Sequence, residues 1–100
     1  MFELVERPTS PGEILLEEFM KPSGISQSML ARVINVSYRR INEIILGKRA
    51  ITPDTAFRLA AYFSTTPEFW INAQNAVDMF DTVQIYGPDY QKIKQADHIS

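Results

Sequence analysis

Apolar residues recur along this chain at helical spacing, and most of the apolar runs begin just after a residue suited to starting a helix. Ala56, Leu59, Ala60 and Phe63 stand at i, i+3, i+4 and i+7, one face of a helix over roughly 53–63. Phe69, Ala73, Val77 and Phe80 mark a second face on a helix beginning at Pro67. Ser10-Pro11-Gly12-Glu13 joins an N-cap serine, a proline at the first helical position and an acid three residues after the cap. Thr52-Pro53-Asp54 and Thr66-Pro67-Glu68 follow the same logic with the acid two residues after the cap, where it favours the positive end of the helix dipole. The pattern predicts helices over about 11–20, 27–34, 38–46 and 53–63, and one from 67 to about 80. The first should stop before Lys21-Pro22-Ser23-Gly24. Residues 81–87 either extend the last helix or are irregular. Gly87-Pro88-Asp89 reads as a turn or breaker, followed by a polar tail with a short helix near Tyr90–Lys94. No alternating strand pattern persists, so the expected fold class is all-α. The division expected is a helical domain over residues 1–80 and a partly ordered C-terminal extension over 81–100.

Residues 27–46 carry the most information. Two short helices crossing steeply need a small residue at the crossing and a turn residue tolerant of positive φ. Ala31 supplies the first and Asn35 the second. Leu30, Ile34, Val36, Ile41 and Ile44 form the apolar set that locks the pair to the body. With Ile41, Ile44 and Ile45 inward, the second helix turns Tyr38, Arg39, Asn42 and Glu43 outward. These are base-reading chemistries: arginine pairs with guanine, asparagine with adenine, and glutamate accepts from cytosine, while Tyr38 packs on a thymine methyl or reaches a phosphate. Gln27, Ser28 and Ser37 open the two helices as backbone-contacting types, and Lys48 and Arg49 follow as cations for a neighbouring phosphate. Plainer roles stand beside these. Arg40 is a phosphate contact or a surface ion-pair former. Glu43 touches a base or orients Arg39. Lys48 grips phosphate or only complements a helix dipole.

Charge sharpens the picture. Over its 100 residues the chain carries a net charge of −2. The first twenty residues hold −4, residues 21–50 hold +5 and the remainder −3. The positive charge therefore sits on the segment with the base-reading pattern, the footprint of a local phosphate-binding surface. There is no cysteine, which removes disulfides, thiolate metal sites and cysteine nucleophiles, and suits a reducing cytoplasm. The start of the chain lacks the basic and apolar regions of a signal peptide, and no apolar run approaches a membrane span. His98 is the only histidine and has no visible partner for metal or acid–base work. Glu17-Glu18 reads as a solvated face or a dock for a basic partner, and Trp70 reads as core. No glycine-rich phosphate loop occurs, so no cofactor is expected, and an enzyme is not.

Longer motifs carry a resemblance. The runs Pro11–Phe19 and Arg39–Ile44, Gly47-Lys48-Arg49 with Ile51-Thr52, Asp54-Thr55-Ala56 with Arg58-Leu59-Ala60, and Pro67-Glu68-Phe69-Trp70 resemble the HigA-type antitoxins. These belong to the Xre/Cro-like helix-turn-helix group. The resemblance covers about Pro8 to Asp78. It implies a lambda-repressor-like domain of about five helices with a C-terminal extension. It also implies a toxin–antitoxin module in which the protein neutralises a small ribonuclease toxin and, as a homodimer, represses its own operon on palindromic double-stranded operator DNA. By position it implies a DNA surface of Gln27, Ser37, Tyr38, Arg39, Arg40, Asn42, Lys48 and Arg49. Asn35 departs from the glycine more usual at the turn.

A homodimer reads two half-sites about 34 Å apart and so multiplies specificity. Phe69, Val77, Phe80, Val83, Ile85 and Tyr86, with Met79, offer more apolar surface than a thin helical domain readily covers. They form the expected subunit interface, or they fold back on the monomer's own core. A solitary repressor of the same fold, and a protein-interaction domain that no longer binds DNA, are the competing functional readings.

Overall fold

The computed structural model describes residues 6–97; the first five residues and the last three, His98 included, lie outside the described residues. What is described is helical throughout: α1 (Pro11–Ile14), a π-helical stretch (Leu15–Met20), α2 (Lys21–Ser23), α3 (Gln27–Val33), α4 (Tyr38–Ile45), α5 (Pro53–Phe63) and α6 (Pro67–Gln91). The first three form one continuous rod, so the fold has five helical rods among the described residues.

Local chemistry starts and stops each rod. The side-chain oxygens of Ser10, Ser26, Ser37, Thr52 and Thr66 accept from the backbone amides of Glu13, Met29, Arg40, Thr55 and Phe69, one orphan donor at each helix start. Gly24, Asn35, Gly47 and Ser64 are the positive-φ residues of the described chain, and each sits one or two positions past a helix end. The following amide reaches back to a carbonyl of the last turn: Ile25 to Met20, Val36 to Ala31, Lys48 to Glu43 and Thr65 to Ala60, at 2.8–3.2 Å. This is the Schellman closure, which needs a left-handed residue at its apex. Asn35 therefore does what the sequence assigned to it.

Two expected stops are corrected. The first rod does not end at Met20 but runs to Ser23. The Lys21 amide bonds the Leu16 carbonyl five residues back. A turn widened to this register takes up the step that Pro22 would otherwise disrupt by lacking a donor and crowding a carbonyl. The last rod does not break at Gly87-Pro88 but continues to Gln91, and no separate helix forms at Tyr90–Lys94. Pro88 lies in the final turn, where it removes a single bond and little helix remains to be disturbed. At 25 residues α6 is about 37 Å long. It stretches the molecule to 55 × 28 × 21 Å, and its 17.0 Å radius of gyration exceeds the ~13 Å of a compact chain this size. No break falls at residue 80.

The core joins Leu15, Leu30, Ile41, Ile44, Leu59 and Trp70, all fully buried. Trp70 donates its Nε1–H to Thr65 Oγ1 at 2.9 Å, which satisfies its polar handle. Phe19 sits among Phe63, Phe69 and Trp70, with ring centroids 5.0–5.7 Å away. Gly12 lets α1 lie against α4: a Cβ there would overlap the Ile44 carbonyl oxygen and stand 2.8 Å from Ile45 Cα. Sequence reading treated Gly12 only as part of a cap.

Candidate nucleic-acid interface

α4 is anchored from behind by Ile41 and Ile44 and spaced by Gly12, which leaves its opposite face to solvent. Tyr38 and Arg39 stand on that face, the Arg39 side chain 80 % exposed. Asn42 is half-buried because its Nδ2–H donates to Gln27 Oε1 at 3.1 Å. That bond couples the first residue of α3 to the middle of α4. Sequence reading selected both residues but had no way to pair them across 15 positions. Ser28 is exposed beside Gln27 on the first turn of α3. The Ser37 hydroxyl is engaged as the α4 cap. Lys48 and Arg49 lie exposed just past the Gly47 turn.

Glu43 is the centre of this face. Its Oε2 accepts from Arg39 Nε at 2.7 Å. Its Oε1 accepts from Arg49 Nε at 2.9 Å and lies 2.7 Å from Arg49 Nη2. Hydrogen bonding from Arg39 and then Arg49 holds the Glu43 carboxyl below the usual carboxylate range, and the same contact raises Arg39. Glu43 is thus paired with Arg39 and with Arg49 at once.

Arg40 points elsewhere. Its Nη1 donates to Asp54 Oδ2 at 2.9 Å, and Arg58 Nε donates to the same oxygen at 2.9 Å. These two contacts, Arg58's first, lower the Asp54 carboxyl. Arg58 Nη1 then donates to the Ile34 carbonyl at 2.9 Å and reaches the Asn35 carbonyl at 3.4 Å. α5 therefore ties down the carbonyls of the helix-turn-helix turn from 23–24 residues away. Sequence reading missed Arg58; the Asp54–Arg58 spacing of four on one helix was the available signal. The loop after α4 is tied to α6 by Gln74, whose Oε1 accepts from the Ile51 amide at 2.8 Å. Arg7 pairs with Asp81 through two bonds, at 3.0 and 2.9 Å, which lowers the Asp81 carboxyl and raises Arg7.

The apolar residues singled out on α6 separate. Val77 is only 3 % exposed and belongs to the chain's own interior, so it offers no surface to a second copy. Its face of α6 turns toward the body, a choice that helical periodicity leaves open. Phe69 joins the Phe19 cluster at its rim, Phe80 and Val83 are half-buried, and Ile85 and Tyr86 are 66 % and 50 % exposed. Among the described residues no acidic or histidine cluster is arranged to hold a metal ion, and no helix is long and apolar enough to cross a membrane.

Comparison with known proteins agrees with this geometry. A helix-turn-helix family profile matches residues 16–70. Virulence-associated protein I of Dichelobacter nodosus is 51 % identical over 69 residues, which span 69 % of this chain and 64 % of that relative's length. Antitoxin HigA-1 of Vibrio cholerae is 40 % identical over 88 residues, 88 % of this chain and 83 % of that protein. The solved structure of antitoxin GraA in complex with its operator superposes with a TM-score of 0.86 at 36 % identity, covering 96 % of this chain and 98 % of that one.

Proposed function

The chain belongs to the helix-turn-helix family, among the HigA-type antitoxins, and from that premise we propose that it is the antitoxin of a toxin–antitoxin module. In this reading it represses its own operon by binding operator DNA as a homodimer, and it binds and neutralises a small ribonuclease toxin. It acts in the cytoplasm, as a regulator and not an enzyme. The observation that carries the DNA half is α4 itself: a helix anchored on one face presents Tyr38, Arg39 and the Gln27–Asn42 pair on the other. A relative solved with its operator shares the fold. The toxin half rests on the antitoxin relatives.

Arg39 and the coupled Gln27–Asn42 pair are assigned to base edges in the major groove, the coupling holding the asparagine amide for a bidentate contact. Tyr38, Ser28, Ser37 and Lys48 are assigned to the phosphates that fix register. Arg40, engaged with Asp54, supports the turn. Residues to about 80 form the DNA-binding domain. The later part of α6 is the extension, and its outer apolar face, Ile85 and Tyr86 with Phe69, Phe80 and Val83, is where a second copy packs.

The test is a gel shift of the full chain on its upstream promoter fragment, together with a pull-down by the product of the adjacent small gene. Affinity for the promoter should fall with added salt, with a log–log slope near −0.9 per phosphate engaged. Binding to both partners supports the proposal. Promoter binding without a toxin partner makes the protein a solitary repressor, and binding to neither overturns the reading.

A further inference from the structure

We infer that Glu43 is a specificity-determining residue that presents Arg39 to the bases while withholding Arg49 from the phosphates. The inference rests on the DNA-binding reading above.

The two arginines meet the carboxylate differently. Arg39 is held by Nε alone, which leaves both terminal nitrogens of its guanidinium free. Those two nitrogens are a fork suited to guanine O6 and N7. Arg49 donates from Nε to Glu43 Oε1 at 2.9 Å and has Nη2 at 2.7 Å from the same oxygen, so the side edge of its guanidinium lies against the carboxylate and its charge is compensated there. One carboxylate therefore aims the first arginine and covers the second. The Glu43 side chain is 22 % exposed, against 80 % for Arg39 and 41 % for Arg49, so the carboxylate is the most enclosed of the three. Its two arginine partners hold its pKa below the usual carboxylate range, so it stays charged at neutral pH.

Sequence-independent binding is driven by the number of phosphates neutralised. With Glu43 in place, Arg49 contributes little to it. Without Glu43, Arg49 is released to any duplex and Arg39 loses its fixed direction. Both changes lower the ratio of operator to non-operator affinity.

The experiment uses the full chain, a duplex library with a randomised centre, and one duplex of unrelated sequence. The preferred sequence of the wild-type protein is selected first. Glu43→Gln should then bind the unrelated duplex about eight-fold more tightly at 0.1 M salt, with a slope steeper by about 0.9. It should also lose preference at one base pair of each half-site. In the Glu43→Gln, Arg49→Ala double variant the gain on unrelated DNA should vanish while the relaxed preference remains. Glu43→Asp, which keeps the charge, should stay near wild type on unrelated DNA and supplies a folded comparison.

An unchanged affinity and slope for Glu43→Gln would overturn the inference. So would a gain that persists undiminished without Arg49. A Glu43→Gln variant that exchanges one preferred base for another, with no gain on unrelated DNA, would show that Glu43 reads a base itself. A wild-type protein that selects no sequence would overturn the DNA-binding reading first, and this inference with it.

Discussion

Adding one methyl group at Gly12 and one at Gly87 should move stability in opposite directions. Both glycines are helical, so replacement by alanine gains up to ~1 kcal/mol of helix propensity at each. What the new Cβ meets decides the sign. At Gly12 it meets the Ile44 carbonyl and the Ile45 Cα, backbone atoms that cannot rotate away. Overpacking costs about 1–3 kcal/mol, and a backbone neighbour places Gly12 at the upper end. The net loss for Gly12→Ala is then about 2 kcal/mol, which for a domain this size lowers the thermal midpoint by roughly 8–16 °C. At Gly87 the new Cβ meets only Val83 Cγ1 at 3.6 Å, an ordinary contact. Gly87→Ala should therefore raise the midpoint by up to ~4–8 °C. Thermal unfolding followed at 222 nm (a conventional helix signal) measures both. If Gly12→Ala proved as stable as wild type, α1 would not pack against α4 as closely as described. The placement of α4 would then need another explanation.

Three further outcomes are expected. Trp70→Ala should cost about 3–5 kcal/mol in urea unfolding, since the ring is fully buried and its N–H is bonded to Thr65. The wild-type Trp70 fluorescence should be blue-shifted and resist quenching by iodide. Ser64→Gly should stabilise by about 0.5–1 kcal/mol, because Ser64 has φ +60° at a Schellman apex where glycine avoids the left-handed penalty; a loss on this substitution would contradict the assigned backbone. Finally, Glu43, Asp54 and Asp81 are lowered in the folded state by their arginine partners, so their contribution is complete above the unfolded-state value near ~4. It declines as pH falls through the lower folded-state values. The thermal midpoint should respond to these groups only in acid and not between pH 6 and 8, and titration of the midpoint in each charge-neutral variant checks the assignment.

What the sequence by itself determined is what depends on neighbours a few residues away. A serine or threonine cap acts on an amide three positions on, proline acts at the first helical position, and a left-handed residue closes the last turn. Those devices are short-range, so the starts of α1, α3, α4, α5 and α6 and the turn at Asn35 were legible residue by residue. The outward set Tyr38, Arg39, Asn42 and Glu43 was legible for a related reason: helical periodicity separates it from Ile41 and Ile44. Family motifs, read as resemblance, supplied the functional class.

The tertiary structure decided what depends on which surfaces meet. Pro22 and Pro88 end helices by local rules, yet both are carried within helices here, because the register of the preceding turn and the position near a helix end limit their cost. Gly12 matters because α4 lies against it. Val77 became interior and not interface because α6 turns that face toward the body. Asn42 found Gln27, Arg58 found the Ile34 carbonyl, and Glu43 became a bridge between two arginines. Each of the first two joins residues more than a dozen positions apart, and the third depends on the loop after α4 folding back. Local chemistry sets where helices begin; only the packing of one helix on another sets which side chains meet, and the chemistry of the exposed α4 face follows from those meetings.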